Sequence, residues 1–409
     1  MRPSIIELGA TGLLPVRPPV VVLGGLDILR SLGLARIPAI IASLERRTPA
    51  MASRYCTGTI ALPPGAGRDA VVDALVRAGR WLTAQYGAPV PLFYDNDDRL
   101  ALVQDYRDAL GRHFALLLNE PTLADALLDK ARFQGLAERR GLPVPRRIEW
   151  DALGDEPGAV LVKPKVRMGW EHSAVREQLF GGAGKARVFD CGRAAFEDGL
   201  VRQLAGQLAF QEYVLGDDSA IWSFHGFAAP GSELLASFVG RKIRTYPALT
   251  GDSAYLRLAR DREIDELGRD IVARLGLVGV FKMDFKRSAT TGRCYLLEIN
   301  TRFNLWHHLG AKNGVNLPRV AYDYLVHGRR PAPVQARLIY RWLSFGYDRR
   351  AYRELAAAGR LGLLRWLWSL VQAPKVYAIF SWTDPAPFLR YWRGRLGRRL
   401  RRLWHSTAS

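Results

Sequence analysis

The chain has 409 residues, nearly half of them apolar, so two or three packed domains are expected rather than one. No run of about 20 apolar residues is free of charge, MRPSIIELGATG lacks the continuous apolar core of a secretory signal, and three scattered cysteines (Cys56, Cys191, Cys294) fit free thiols in a reducing cytoplasm, so a spanning helix, a leader and a disulfide frame are all excluded as expectations. The net charge of +20 is uneven: residues 331–409 hold 15 Lys/Arg against 3 Asp/Glu, so the basic excess belongs mainly to one end and does not make nucleic acid the expected partner.

PPVVVLGGL (18–26), a helix over 27–34 and IPAIIAS (37–43) read as the start of a βαβ unit. The turn LGGLDILRSLG is not GxGxxG, so no dinucleotide site follows from it. PVPLFY (89–94) is a further buried strand that ends in the acidic loop DNDD (95–98). This rhythm predicts a doubly wound α/β domain over residues 1–118.

A helix is expected over 121–140, with Pro121 near its start and Gly141 ending it. AVLVKPKV (159–166) is a short buried strand carrying Lys163, and residues 166–184 form a glycine-bearing loop. A helix near 193–206, the strand LAFQEYV, the turn LGDD, strands through 245 and a helix over 263–276 follow.

The hairpin FKMDFKRSATTGRCYLLEINTRFN (281–304) carries the most chemistry. Alternation puts Phe281, Met283 and Phe285 on one face and Lys282, Asp284 and Lys286 on the other. On the second strand Tyr295, Leu297 and Ile299 oppose Leu296, Glu298 and Asn300. A seven-residue loop (287–293) would pair 286 with 294, leaving Asp284 and Glu298 diagonal on one face, roughly 7–8 Å apart. Two carboxylates and an amide, with no Cys or His, suit Mg²⁺ better than Zn²⁺. The same spacing also fits a solvent face with ordinary salt bridges, Glu298 to Lys282 for example.

DK at 129–130, VKP at 162–164, QEYVLGDD at 211–218, GRK at 240–242, MDF at 283–285 and EINTR at 298–302, in this order and spacing, resemble the ATP-grasp superfamily, particularly its carboxylate–amine ligases. The resemblance covers residues 119–325 and, more loosely, the α/β domain before them. It implies an ATP-grasp domain over 119–328, α+β in character, holding ATP between two subdomains. By the same resemblance Lys130 and Lys163 contact the nucleotide; Gln211 and the backbone of Glu212 and Val214 hold adenine. Asp218, or its neighbour Asp217, meets the ribose, although relatives usually have Glu there. Lys242 or Arg241 lies near the transferred phosphate. Asp284, Glu298 and Asn300 bind two Mg²⁺ ions, with Mn²⁺ as a substitute, and Arg302 holds the substrate carboxylate or its oxyanion. Thr301 stands where many relatives have Pro. Lys165, Arg167 and Lys185 are loop candidates for phosphate, and Gly251 and Ser253 for substrate, while His172, His307 and His308 read as loop or packing residues.

The implied reaction joins a carboxylate to an amine through an acyl phosphate. The alternatives are an ATP-dependent carboxylase or carbamoyl-phosphate-type synthase, and a non-catalytic ATP-binding membrane adaptor. Residues 329–409 read as a basic, Trp/Arg-rich helical extension. Leu389, Trp392, Leu396, Leu400 and Leu403 recur at steps of 3 and 4, with seven arginines between 390 and 402. An anionic membrane surface met through residues 385–409, a packed cap on the body and a polyanion are the three readings, and the first puts a cytoplasmic protein peripherally on a membrane.

Overall fold

The computed structural model describes residues 3–9, 12–165, 178–180, 186–249 and 251–407. The first domain is built on strands β1 (Ile6–Leu8), β2 (Val20–Leu23), β3 (Ala39–Ser43), β4 (Cys56–Ala61), β5 (Val90–Tyr94) and β6 (Phe114–Ala115), in the order β1-β4-β3-β2-β5-β6. All neighbours are parallel except β1 against β4. Val20 and Val22 enter one core and Val21 and Leu23 another, as a parallel sheet covered on both faces requires.

Strands β7 (Arg147–Ile148), β8 (Val160–Pro164), β9 (Arg187–Phe189) and β10 (Leu208–Glu212) form a small antiparallel sheet in the order β7-β10-β8-β9. Strands β11 (Ile221–Ala229), β12 (Glu233–Tyr246), β13 (Asp252–Ala259), β14 (Gly279–Arg287), β15 (Cys294–Asn300), β16 (Arg341–Leu343) and β17 (Lys375–Tyr377) form a large sheet, β15-β14-β11-β12-β13-β16-β17. One hydrophobic core runs through all three sequence segments: Val22 and Phe93, Phe238 and Trp306, and Trp342 and Val376 belong to it.

Three expectations change in detail. The helix expected over 121–140 is two helices, Pro121–Leu128 and Lys130–Arg139. Asp129 has extended backbone angles, and its carboxylate accepts from Ala131 N (2.8 Å) and Arg132 N (2.9 Å), capping the second helix. The hairpin register also differs: Asp284 pairs directly with Glu298, and Phe285 with Leu296, so Leu297 is an extra residue in a bulge. The extra residue reverses the alternation, which is why Leu296 lies in the core rather than beside Glu298. Finally, the extension is not purely helical, because β16 and β17 continue the large sheet.

Candidate active site

A cavity of about 570 Å³ lies where the small sheet, the large sheet, the helix Lys130–Arg139 and the first domain meet. Strand alternation on β14 decides what enters it. Phe281, Met283 and Phe285 are buried in the core, while Lys282, Asp284 and Lys286 line the cavity. Asp284 accepts from Ser223 Oγ, and Lys282 Nζ lies 2.6 Å from its Oδ2. Directly across the pair, the side chain of Glu298 opens into the cavity. Asn300 Nδ2 donates to Glu298 Oε1 at 3.0 Å.

Seven cationic and six acidic side chains line the cavity and shift one another's ionisation. Burial opposes ionisation of Glu298, but Lys282, the Asn300 amide, Lys130 and Lys242 outweigh it and hold its carboxyl well below the usual range. Burial, reinforced by Lys130 and opposed by Glu298, lowers Lys163 to about 7. Burial likewise lowers Lys286 to about 8, against Asp218 and Asp217, and its ammonium lies 4.1 Å from the Tyr213 ring centroid. Both shifts come chiefly from burial, which an anion bound in the cavity would offset.

The donor set also fits a hard divalent cation. Among the described residues no group of three or more His, Cys, Asp or Glu side chains could hold a metal. The candidate set is instead two carboxylates and the amide oxygen of Asn300, all hard oxygens, which is enough for an ion that keeps its waters. The ammonium of Lys282 already presents positive charge to Asp284.

Arg302 reaches the cavity from the end of β15. Its Nε donates to Asp97 Oδ1 (2.5 Å) and its Nη2 to Asp97 Oδ2 (3.3 Å), with further bonds to Asp95 O (3.1 Å) and Asn300 Oδ1 (3.3 Å). The fork therefore already grips a carboxylate, one supplied by the first domain. The floor includes Trp306, packed so close to β12 that a Cβ on Gly240 would meet its ring at 2.1 Å. Only glycine admits the indole there.

Of the residues nominated from sequence, Lys130, Lys163, Gln211, Val214, Lys242, Asp284, Glu298, Asn300 and Arg302 line this one cavity, as do Gly251 and Ser253. Asp218, Glu212 and Arg241 do not. The carboxylate of Asp218 accepts from Thr245 N (2.7 Å), Thr245 Oγ1 (2.8 Å) and Leu249 N (2.7 Å), so it holds a turn. Its neighbour Asp217 is likewise engaged, with Ser219. Glu212 accepts from Arg146 N (3.0 Å), and its own N–H donates to Arg146 O (3.0 Å). Arg241 alternates away from Lys242, bonds Ser219 and lies over Trp222. Lys165 is half-buried and donates to Gly206 O. Arg167, His172, Lys185 and nearly all of the 166–184 loop lie outside the described residues. His307 and His308 are buried packing residues.

Sequence reasoning passed over Lys282, Lys286, Tyr213, Trp306 and Asp97, which also line the cavity. The two lysines share the face of Asp284 by the alternation already used. Asp97 follows the C-terminal end of β5, where doubly wound sheets place ligands.

No family model matches the sequence, and no curated protein matches it. Solved structures do match. A biotin carboxylase–β,γ-ATP complex from Campylobacter jejuni aligns with a TM-score of 0.56 at 12% identity, covering 79% of this chain and 74% of that one. The N5-carboxyaminoimidazole synthetase of Staphylococcus aureus gives 0.58 at 12%, covering 79% and 81%. An L-amino acid ligase from Bacillus licheniformis gives 0.52 at 13%, covering 76% and 75%. The chain therefore shares the fold of these solved structures, a mixed α/β architecture.

Proposed function

We propose that this protein is an ATP-dependent carboxylate–amine ligase that takes ATP as a substrate and forms an amide through an acyl phosphate. The observation that carries the reading is the convergence of Asp284, Glu298 and Asn300 with Lys130, Lys163, Lys242 and Arg302 on a single cavity. The three oxygen donors would hold Mg²⁺, whose chemistry when bound is to neutralise phosphate charge. Lys130 and Lys163 would meet the nucleotide, and Lys242 would stabilise the phosphoryl group in transfer. Gln211, Tyr213 and Val214 would border the base.

Arg302 would exchange the Asp97 carboxylate for that of the substrate. A substrate carboxylate oxygen attacks the γ-phosphorus, and ADP leaves. The amine nitrogen then attacks the acyl carbon, loses its proton, and phosphate leaves with the bonding pair. No protein nucleophile is required, so positioning and charge neutralisation carry the catalysis.

Asp284→Asn or Glu298→Gln should abolish ADP release from Mg-ATP, measured across a panel of amino acids and small carboxylic acids, with thermal melting retained. Full turnover by either folded variant would sink the assignment. A carboxylase remains the second reading because biotin carboxylase and N5-carboxyaminoimidazole synthetase share the fold. ADP release that depends on bicarbonate rather than on an organic acid would select it.

A further inference from the structure

The extension is tied to the body through two buried acids and also carries many exposed apolar side chains. Asp384 accepts from Arg30 Nε (3.0 Å), Ser53 Oγ (2.8 Å) and Arg54 N (2.9 Å). Asp348 takes a two-pronged contact from Arg244 (2.6 and 3.1 Å) and a bond from Trp366 Nε1 (2.8 Å). Two of the three acids in residues 331–409 are thus buried in ion pairs, which leaves Glu354 as the one acid on that surface.

Among the described residues, 14 of the 19 exposed large hydrophobic side chains fall in this last fifth of the chain. They are ordered. In the helix Leu363–Val371, Trp366 points inward and stacks on Tyr352. Leu364 (82% exposed), Leu367, Trp368 and Val371 recur at steps of 3 and 4 on the opposite side. Trp382 is 87% exposed. In the helix Ala386–Thr407, Leu389, Trp392 and Leu396 repeat the same spacing, and that helix contains seven arginines and no acid. Among the described residues no helix is long and apolar enough to cross a membrane.

We propose that the extension docks on an anionic lipid surface, with the Leu364/Trp368/Val371 stripe, Trp382 and the Leu389/Trp392/Leu396 stripe entering the headgroup boundary and Arg390, Arg393 and Arg395 meeting lipid phosphates. Charge complementarity and side-chain type select this occupant. Leu364 and Val371 offer nothing for a base to stack on, which disfavours a nucleic-acid strand. A second copy would bring another strongly positive face against this one.

The test is flotation of the full chain with vesicles of phosphatidylcholine plus phosphatidylglycerol, and with phosphatidylcholine alone. Truncation is avoided because Asp384 anchors the segment to Arg30. The unmodified chain should float with the mixed vesicles and not with the neutral ones. The triple variant Leu364→Ser/Trp368→Ser/Val371→Ser should lower the partition coefficient by about tenfold or more, with melting and ATP turnover unchanged. Arg393→Gln and Arg395→Gln should each lower it by about fivefold, more at low salt than at high. Tryptophan emission of the unmodified chain should be quenched by brominated lipid, a readout that survives even if the triple variant fails to fold. Equal partitioning of the triple variant, equal binding to neutral vesicles, or no quenching would overturn the proposal. So would failure to float combined with binding of a single-stranded oligonucleotide, or with a dimer that the triple variant dissociates.

Discussion

Two arginine–aspartate pairs fasten the large sheet to its neighbours, and they differ in what surrounds them. Arg244–Asp348 joins β12 to the helix Phe345–Ala357, with side chains 6% and 0% exposed. Arg302–Asp97 joins the end of β15 to the first domain on the cavity wall, with side chains 14% and 23% exposed. The groups are chemically identical. Both have further protein partners: Trp366 and Ser369 bond the first, whose Arg244 guanidinium also lies 4.8 Å from the Tyr255 ring, and Asp95 O and Asn300 Oδ1 accept from Arg302 in the second. What differs is that the second pair is partly exposed and lines the cavity, where a ligand's carboxylate would compete for the guanidinium. Burial, not the pair itself, separates a rivet from an exchangeable clasp.

The sharpest way to break this contrast is Asp348→Ala. It strands a buried guanidinium and the Trp366 N–H, and should cost about 3–5 kcal/mol of stability, read from chemical denaturation. A loss under about 1 kcal/mol would mean that solvent relieves Arg244, and the two pairs would not differ in kind.

The complementary change is Asp97→Asn. It should cost at most about 1 kcal/mol of stability, because the pair is partly screened. If a substrate carboxylate takes the place of Asp97, KM for the acid should fall by about three- to tenfold, since the internal competitor is weakened. A rise in KM, together with a stability loss like that of Asp348→Ala, would make both pairs structural.

What the sequence made legible follows the range of the signal. Alternation along β14 separates Asp284 from Met283 and Phe285 with no tertiary information, and the motif order locates Lys130, Lys163 and Arg302. Alternation could also have separated Lys242 from Arg241 once β12 was known to be one strand. The Leu297 bulge could not be anticipated, because nothing local distinguishes it from a regular strand of the same residues. Nor could the fate of Asp218, whose partners Thr245 and Leu249 lie 27 and 31 residues away. Asp348 and Asp384 find arginines 104 and 354 residues distant, and β16 and β17 are three residues each, too short to show a period. The basic extension therefore read as an appendage when two of its acids and two of its strands belong to the body.

The cavity cations give the smallest and most specific effect, and it too depends on exchangeability. Burial and Lys130 lower Lys163 to about 7, below the ordinary lysine value of 10.5. Between those two values the unfolded chain binds more protons at this position than the folded one, so the lysine's contribution makes stability rise with pH from about 7 to about 10.5. Lys163→Met should flatten that part of the stability–pH profile without altering it below about pH 6. Bound triphosphate would restore the proton. Nucleotide binding to the unmodified protein at pH 8 should therefore take up protons, seen in calorimetry as a binding enthalpy that varies with the buffer's ionisation enthalpy, and Lys163→Met should lose most of that dependence. Lys286, lowered to about 8 but seated on Tyr213, supplies the control. If Lys286→Met removes the proton uptake and Lys163→Met does not, the triphosphate lies against β14 rather than β8, and the orientation of the nucleotide proposed here is reversed.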